Sequence, residues 1–300
     1  MLSIVVLGAA AGGGVPQWNC GCGNCRAARE GGSPAAATQA SIAVSVDRTH
    51  WFLINASPDI RQQLNATPAL HPRALRHSPI AGVLLTNGEI DAITGLLSLR
   101  EGTPFELFAH DRVLSLLREN SVFNVLKPGI VTRTAITPDV AFEPVLAGGQ
   151  ASGIEFLPFV APGKAALFIE DAAANEEGDT LGFVIADKAT GESLVFLAAC
   201  AAITPEVEAR LKGARMVFFD GTLWADDEMI RAGLSQKTGA RMGHMAMQQT
   251  IPALANLGID RKVFLHINNS NPALNAGSAE RKAAEAAGWL VPADGMEFTL

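Results

Sequence analysis

The sequence predicts an α/β protein in which two packed sheets are covered by helices. Three observations carry this reading. Short apolar, β-branched runs recur through both halves of the chain, at 2–7, 81–85, 194–197, 216–219 and 262–265. Stretches with helical apolar spacing lie between them, the alternation of an α/β chain. No linker and no repeat of 20–50 residues divides the chain, so residues 1–300 are expected to form a single domain. With 48% hydrophobic and 18% charged residues, the 300-residue chain has ample material for a core and is not a disordered one. A formal net charge of −7 argues against a nucleic-acid-binding surface.

The elements follow in order. Leu2 to Leu7 reads as a buried strand that runs into the glycine-rich turn Gly8 to Gly14. A dinucleotide fingerprint would need a helix to open there, but the chain continues Val15, Pro16, Gln17, Trp18, Asn19, Cys20, so a turn requiring positive φ is the better reading. Ser41–Val46 and Trp51–Ile54 flank Asp47 and Arg48 as a hairpin. Ser57 followed by Pro58 marks a helix start, with Ser57 as N-cap. Strands are expected at 81–85, 105–109, 154–159, 181–186, 194–197, 216–219 and 262–265, and helices at 90–100, 112–119, 204–212, 246–257 and 278–287. Residues 172–179 read as a small, acidic, exposed turn.

Several apolar strands end in polar, metal-capable residues. Val83–Leu85 leads into Thr86, Asn87, Gly88, Glu89, Ile90 and Asp91; Val195–Leu197 leads to Cys200; Val217–Phe219 ends at Asp220; Val263–Leu265 ends at His266, then Asn268 and Asn269. Parallel buried strands place their C-terminal ends on one edge, where open sheets bind ligands. A shared site built from these ends is therefore expected.

The cysteines give a second signal. Cys20, Cys22 and Cys25 lie within six residues, a poor disulfide plan but a spacing that suits tetrahedral Zn2+, with glycines letting the loop wrap the ion. The fourth ligand must come from far along the chain, from Cys200 or from a residue near 266–269. This thiol usage fits a reducing, cytoplasmic compartment, and no signal peptide or membrane-spanning helix is expected. Of the six histidines, His50, His71, His77 and His110 sit in polar or Pro-flanked loops and read as exposed. His244, in a Gly-flexed loop, and His266, at a strand end, are the candidates for ligands or acid–base groups.

The segment Thr86 to Ala92 occupies the place of Thr-His-x-His-x-Asp-His in the metallo-β-lactamase superfamily, and the glycine-rich turn, the cysteine knuckle and His266 fall in that superfamily's order. Longer stretches resemble the family of pyrroloquinoline quinone (PQQ) biosynthesis B proteins: 13–20, 55–61, 95–102, 219–224, 243–245 and 266–272. The resemblance covers essentially the whole chain. It implies an αββα sandwich of the metallo-β-lactamase type and a role in making PQQ from a peptide containing Glu and Tyr. It also implies one of two activities. The first is iron- and O2-dependent hydroxylation of the tyrosine ring of a Glu-Tyr-derived precursor. The second is transport of PQQ or its precursor toward the periplasm by a carrier.

Departures from the superfamily pattern shape the ligand expectation. Asn87, Glu89 and Ala92 stand where its motif has histidines, no histidine lies near 158–162, and Cys200 stands where it has a bridging Asp. An ordinary two-zinc hydrolase is therefore disfavoured. His244 and His266 with a carboxylate from Asp91, Glu89 or Asp220 make the facial set of non-haem Fe2+ oxygenases. One of these acids is expected to ligate and another to orient a ligating His, and Asn87 to orient a phenol or a water. Arg61, Arg100 and Arg241 are candidates for pairing the substrate's carboxylates. In phosphodiesterases of the superfamily a second His three residues after the last metal His closes the cysteine knuckle. That position here is Asn269, so its carbonyl oxygen, a neighbour or water is expected to complete the zinc site.

Overall fold

The computed structural model describes residues 1–169 and 176–300. In chain order the described residues form β1 (Ser3–Gly8), α1 (Gly23–Arg29), β2 (Ser41–Ser45), β3 (Trp51–Ile54), α2 (Ile60–Ala66), β4 (Ile80–Leu84), α3 (Ile90–Ile93), β5 (Phe105–Ala109), α4 (Asp111–Glu119), β6 (Val131–Ala135) and β7 (Ile154–Val160). There follow β8 (Leu181–Asp187), β9 (Ser193–Leu197), α5 (Pro205–Leu211), β10 (Met216–Asp220), α6 (Glu228–Arg231), α7 (Met247–Ala253), β11 (Arg261–Leu265), α8 (Ala279–Ala286), β12 (Trp289–Leu290) and β13 (Glu297–Thr299).

The strands make two mixed sheets, ordered β13-β1-β2-β3-β4-β5-β6 and β12-β11-β10-β9-β8-β7. Residues alternate between the two faces of each sheet. In β1, Ile4 and Val6 face the second sheet while Val5 and Leu7 face the opposite way; in β10, Met216 and Phe218 face the first sheet while Val217 and Phe219 face outward. Phe52, Phe156, Phe183, Phe196 and Phe218 fill the layer between the sheets. The outer faces are covered by α2 and α4 on one side and by α5, α7 and α8 on the other, which gives the αββα sandwich. No described helix is long and apolar enough to cross a membrane.

The layout places the site. Strands β9, β10 and β11 run parallel, as do β3, β4 and β5. The C-terminal ends of β4, β10 and β11 therefore open onto one rim.

Several local expectations need correction. The helix near Ser57 starts two residues later than expected, at Ile60, with Asp59 in the cap position. The Ser57 hydroxyl is committed elsewhere: it accepts from Asp59 N and donates to Gln63 Oε1. The helix expected over 90–100 is one α-turn that tightens into a 3₁₀ segment at Thr94–Leu99. Gly95 lies so close beneath the chain that a Cβ there would fall 2.1 Å from Ser57 O, which holds this segment against the Ala56–Ser57 backbone. Residues 172–175 of the expected exposed turn lie outside the described residues, but Asp179 at its end is buried and accepts from Arg112 Nε at 2.8 Å. Of the four histidines expected to be exposed, only His71 is; His50, His77 and His110 are half-buried, and His110 caps α4 through Nδ1.

Candidate metal centre

The rim holds a cleft of about 370 Å³ whose walls include Gly12, Asn87, Glu89, Asp91, Lys164, His244 and His266. At its floor His266 leaves β11 with φ +58, a left-handed conformation that costs an L-residue of order 1 kcal/mol or more and persists only where the surroundings enforce it. Two contacts enforce it here. His266 Nε2 lies 2.8 Å from Asp91 Oδ2, and His266 Nδ1 lies 2.8 Å from Thr222 Oγ1.

Asp220, at the end of β10, is fully buried and surrounded by donors. Its Oδ1 accepts from Thr222 N (3.0 Å) and Thr222 Oγ1 (2.7 Å), and its Oδ2 accepts from Cys200 N (2.9 Å). His244 Nδ1 lies 2.7 Å from the same Oδ2. Because the carboxylate only accepts, His244 Nδ1 carries a proton and Nε2 keeps its lone pair. The Thr222 hydroxyl gives its proton to Asp220 and accepts from His266 Nδ1, so His266 Nε2, which donates to Asp91 in the metal-free protein, becomes a ligand atom once that proton leaves. The two imidazoles stack at 5.1 Å. Asp220, His244 and His266 each offer an atom within 4.8 Å of the others, but the Asp220 oxygens are taken by Thr222, Cys200 N and His244 Nδ1, so this acid stands behind the imidazoles and orients them.

Electrostatics ties the same groups together. Burial alone would lower the His266 pKa, but the hydrogen bond to Asp91 and the charges of Asp91, Asp220 and Glu89 outweigh it and hold the imidazole above its ordinary value. Burial would raise Asp91, yet the hydrogen bond to His266 and the nearby imidazoles keep its carboxyl below the usual range.

The other residues expected at this site are in the cleft but differently engaged. Glu89 turns to Lys164 Nζ (2.7 Å) and accepts from Leu167 N. Asn87 spends its amide on the turn: Oδ1 accepts from Glu89 N, and Nδ2 donates to Thr86 Oγ1. Cys200 does not stand in for a bridging acid. Its thiol donates to Ala202 O and is pushed up to about 12 by burial and by the Asp220 charge, and only its backbone N–H serves the site. Ala92 lies in α3 with its side chain buried in the core. The arginines Arg61, Arg100 and Arg241 are exposed and line no part of the cleft; its wall carries Lys164 instead.

Next to this cleft Cys20, Cys22 and Cys25 bring their sulfurs within 4.8 Å of one another. Cys22 sits at the N-cap of α1 and its Sγ accepts from Cys25 N. The Asn269 amide reaches all three sulfurs, with Nδ2 3.1 Å from Cys20, 3.4 Å from Cys25 and 3.7 Å from Cys22. Nitrogen and oxygen of a side-chain amide exchange by a half-turn, so Asn269 can offer Oδ1 at the same point. Burial lifts the Cys25 thiol to about 11, helped by Cys22; Cys22 itself is held low, since hydrogen bonds from Cys25 N and its neighbours outweigh burial. Three sulfurs and an amide oxygen fit a tetrahedral zinc. The N-terminal loop runs beside the last site segment: Ala11 N donates to Ile267 O and Ile267 N to Ala9 O. Cysteine knuckle and His266 thus share one backbone.

The sequence profile of the beta-lactamase superfamily domain matches residues 50–267. The chain is 60% identical, over all of both chains, to coenzyme PQQ synthesis protein B of Rhodopseudomonas palustris and equally to that of Bradyrhizobium diazoefficiens. The crystal structure of Zn2+-bound PqqB from Methylobacterium extorquens superposes with a TM-score of 0.94 at 47% identity, covering 99% of this chain and 100% of that one. A diphosphatase of the PhnP family shares the fold alone, with a TM-score of 0.72 at 19% identity over 99% of this chain and 96% of that one. With matches of this identity along its whole length, the chain belongs to the coenzyme PQQ synthesis protein B family of the beta-lactamase superfamily.

Proposed function

We propose that the chain acts in PQQ biosynthesis as an iron- and O2-dependent hydroxylase of the tyrosine ring of a Glu-Tyr-derived precursor. The observation that carries the reading is the pair His244 and His266, both presenting Nε2 toward a cleft that also holds Asp91. Two imidazoles and one carboxylate are the facial ligand set of non-haem Fe2+ oxygenases. His244, His266 and Asp91 would hold Fe2+, which supplies O2 activation at its open positions. Asp220 and Thr222 fix the two imidazoles from behind. Overall, one oxygen atom of O2 enters a ring C–H bond and the other leaves as water, with two electrons and two protons from an external reductant. The cleft volume suits a dipeptide-sized substrate. Cys20, Cys22, Cys25 and Asn269 would hold a structural Zn2+ that ties the N-terminal loop to the segment after His266.

The test is mass spectrometry after aerobic incubation with the Glu-Tyr dipeptide and a reductant, with and without Fe2+. The expected result is an iron-dependent product one oxygen atom heavier. No such product under any reductant, together with tight binding of finished PQQ, overturns the hydroxylase in favour of the carrier.

A further inference from the structure

We propose that Asn24 is the positioning residue of the cysteine knuckle: it clamps the backbone of Asn269 and Asn271 and so holds the Asn269 side-chain amide over the three sulfurs. This deepens the structural-zinc reading and rests on it for Asn269 as the fourth ligand. Asn24 lies in the first turn of α1, between Cys22 and Cys25. Its Nδ2 donates to Asn269 O at 3.0 Å and to Asn271 O at 2.9 Å, across 245 and 247 positions of sequence. A side-chain NH2 group has two protons, and these two carbonyls take both. Carbonyl oxygens can be met only by the nitrogen end of the amide, so the partners fix which way Asn24 points.

The clamp grips the segment where the knuckle needs it. An asparagine side chain is short, so the place of its amide is set largely by its own backbone. The far side of the segment is fastened to the body of the fold: Asn271 is fully buried, its Nδ2 donates to Gly221 O at 3.0 Å, and its Oδ1 accepts from Ala273 N at 2.9 Å. Asn24 fastens the near side to the element that carries Cys22 and Cys25. Asn269 O has a second donor, Cys22 Sγ at 3.6 Å. As a zinc ligand Cys22 is a thiolate with no proton to give, so in the loaded knuckle Asn24 keeps that carbonyl in place. Asn24 is only half-buried, so water can meet both carbonyls when the amide is removed. The fold then survives, and the loss falls on the placement of Asn269.

The probe is Co2+ on the full chain stripped of metal. Co2+ at the knuckle is read by its thiolate charge-transfer absorption, which the histidine site lacks, and Zn2+ affinity by displacing it. Asn24→Ala removes the amide, and Asn24→Leu replaces it with a side chain of similar shape that cannot donate. Both are expected to bind Zn2+ about 10- to 100-fold more weakly, the range for a group that orients a metal ligand, and to shift the Co2+ spectrum as Asn269→Ala shifts it. The melting temperature of the metal-free protein should change little in either. Asn24→Ala combined with Asn269→Ala is expected to bind no more weakly than Asn269→Ala alone, because a residue acting through Asn269 then has nothing left to place. Asn24 variants that bind both metals as wild type does, while Asn269→Ala does not, overturn the clamp and leave Asn269 a ligand. Additive losses in the double variant, or a large fall in metal-free melting temperature in both Asn24 variants, make Asn24 a general structural residue and overturn the clamp as well. Wild-type binding by Asn269→Ala overturns both the clamp and Asn269 as a ligand.

Discussion

His266 Nε2 lies 2.8 Å from Asp91 Oδ2, a contact that joins the end of β11 in one sheet to the first turn of α3, which follows β4 in the other. Neither group would be placed so without its partner. His266 occupies a strained backbone, and Asp91 is drawn below its ordinary pKa by the two imidazoles. The signs of the two shifts set a pH window. The lowered Asp91 contributes stability that is present above 3.8 and lost in acid; the raised His266 contributes stability that is complete below 6.5 and lost as pH rises through its folded value. In the metal-free protein Asp91→Asn should therefore lower Tm most between these limits, at about pH 5.5, and progressively less as pH rises through the folded His266 value. Thermal melts of both proteins across a pH series upward from about 5.5 check this. The same shift makes protons compete with metal, so affinity at this site should fall as pH drops through a value above 6.5.

His266→Gly separates the residue's backbone from its side chain. Glycine adopts φ +58 without strain, so about 1 kcal/mol of strain is relieved while the imidazole is lost. The fold should survive, iron binding should disappear, and zinc should remain on the cysteines. Metal analysis of the purified variant reads all three. Iron retained at the wild-type level would remove His266 from the ligand set.

The cysteine cluster should behave independently of that site in composition but not in mechanics. Cys22→Ser is expected to lose zinc, and Asn269→Ala to weaken it by about 10- to 100-fold while the cysteines keep a residual site. Because Cys25 titrates at about 11 in the metal-free protein, zinc binding at neutral pH should release protons, a release visible as a buffer-dependent heat in calorimetry. Loss of zinc should also lower the melting temperature, since the ion would tie the Cys20–Cys25 loop to Asn269, close to the pairing of Ala9 and Ala11 with Ile267.

What the sequence revealed and what it hid follow from how local each signal is. Buried strands such as Met216–Asp220 and Arg261–Leu265 are continuous apolar runs and were legible. The edge strands Val131–Ala135 and Glu297–Thr299 were not, because half of their residues face water and read as loop. Asp220 and His266 were legible as candidates because each ends an apolar strand, and His244 because it stands in a Gly-flexed loop. The direction in which Glu89 points was not, since it depends on Lys164, 75 positions away. Lys164 itself lies in an unremarkable Pro-Gly-Lys-Ala stretch, whereas the arginines that looked better placed in sequence are exposed and outside the cleft. The strand end pointed to a His or Asn near 266–269 as the fourth zinc ligand, but only the resemblance singled out Asn269 within it.

Gly12 offers a way to move Asp91 without changing it. A Cβ at position 12 would lie 3.2 Å from Asp91 Oδ2, tighter than side chains ordinarily pack. The loop cannot retreat easily, because Gly13 N is tied to Gln39 Oε1, whose amide Nε2 donates in turn to Asp59 Oδ2. The acid must therefore shift instead, by a few tenths of an ångström. Gly12→Ala should then weaken metal binding at the histidine site by about 10-fold, since ligand geometry tolerates only small displacements. Zinc on the cysteines should be unaffected and Tm should change little, because Asp91 and His266 keep their charges and the core is untouched. Parallel metal titrations of Gly12→Ala and Asp91→Asn check this. If Gly12→Ala binds as tightly as wild type while Asp91→Asn does not, Asp91 acts through its charge rather than its position.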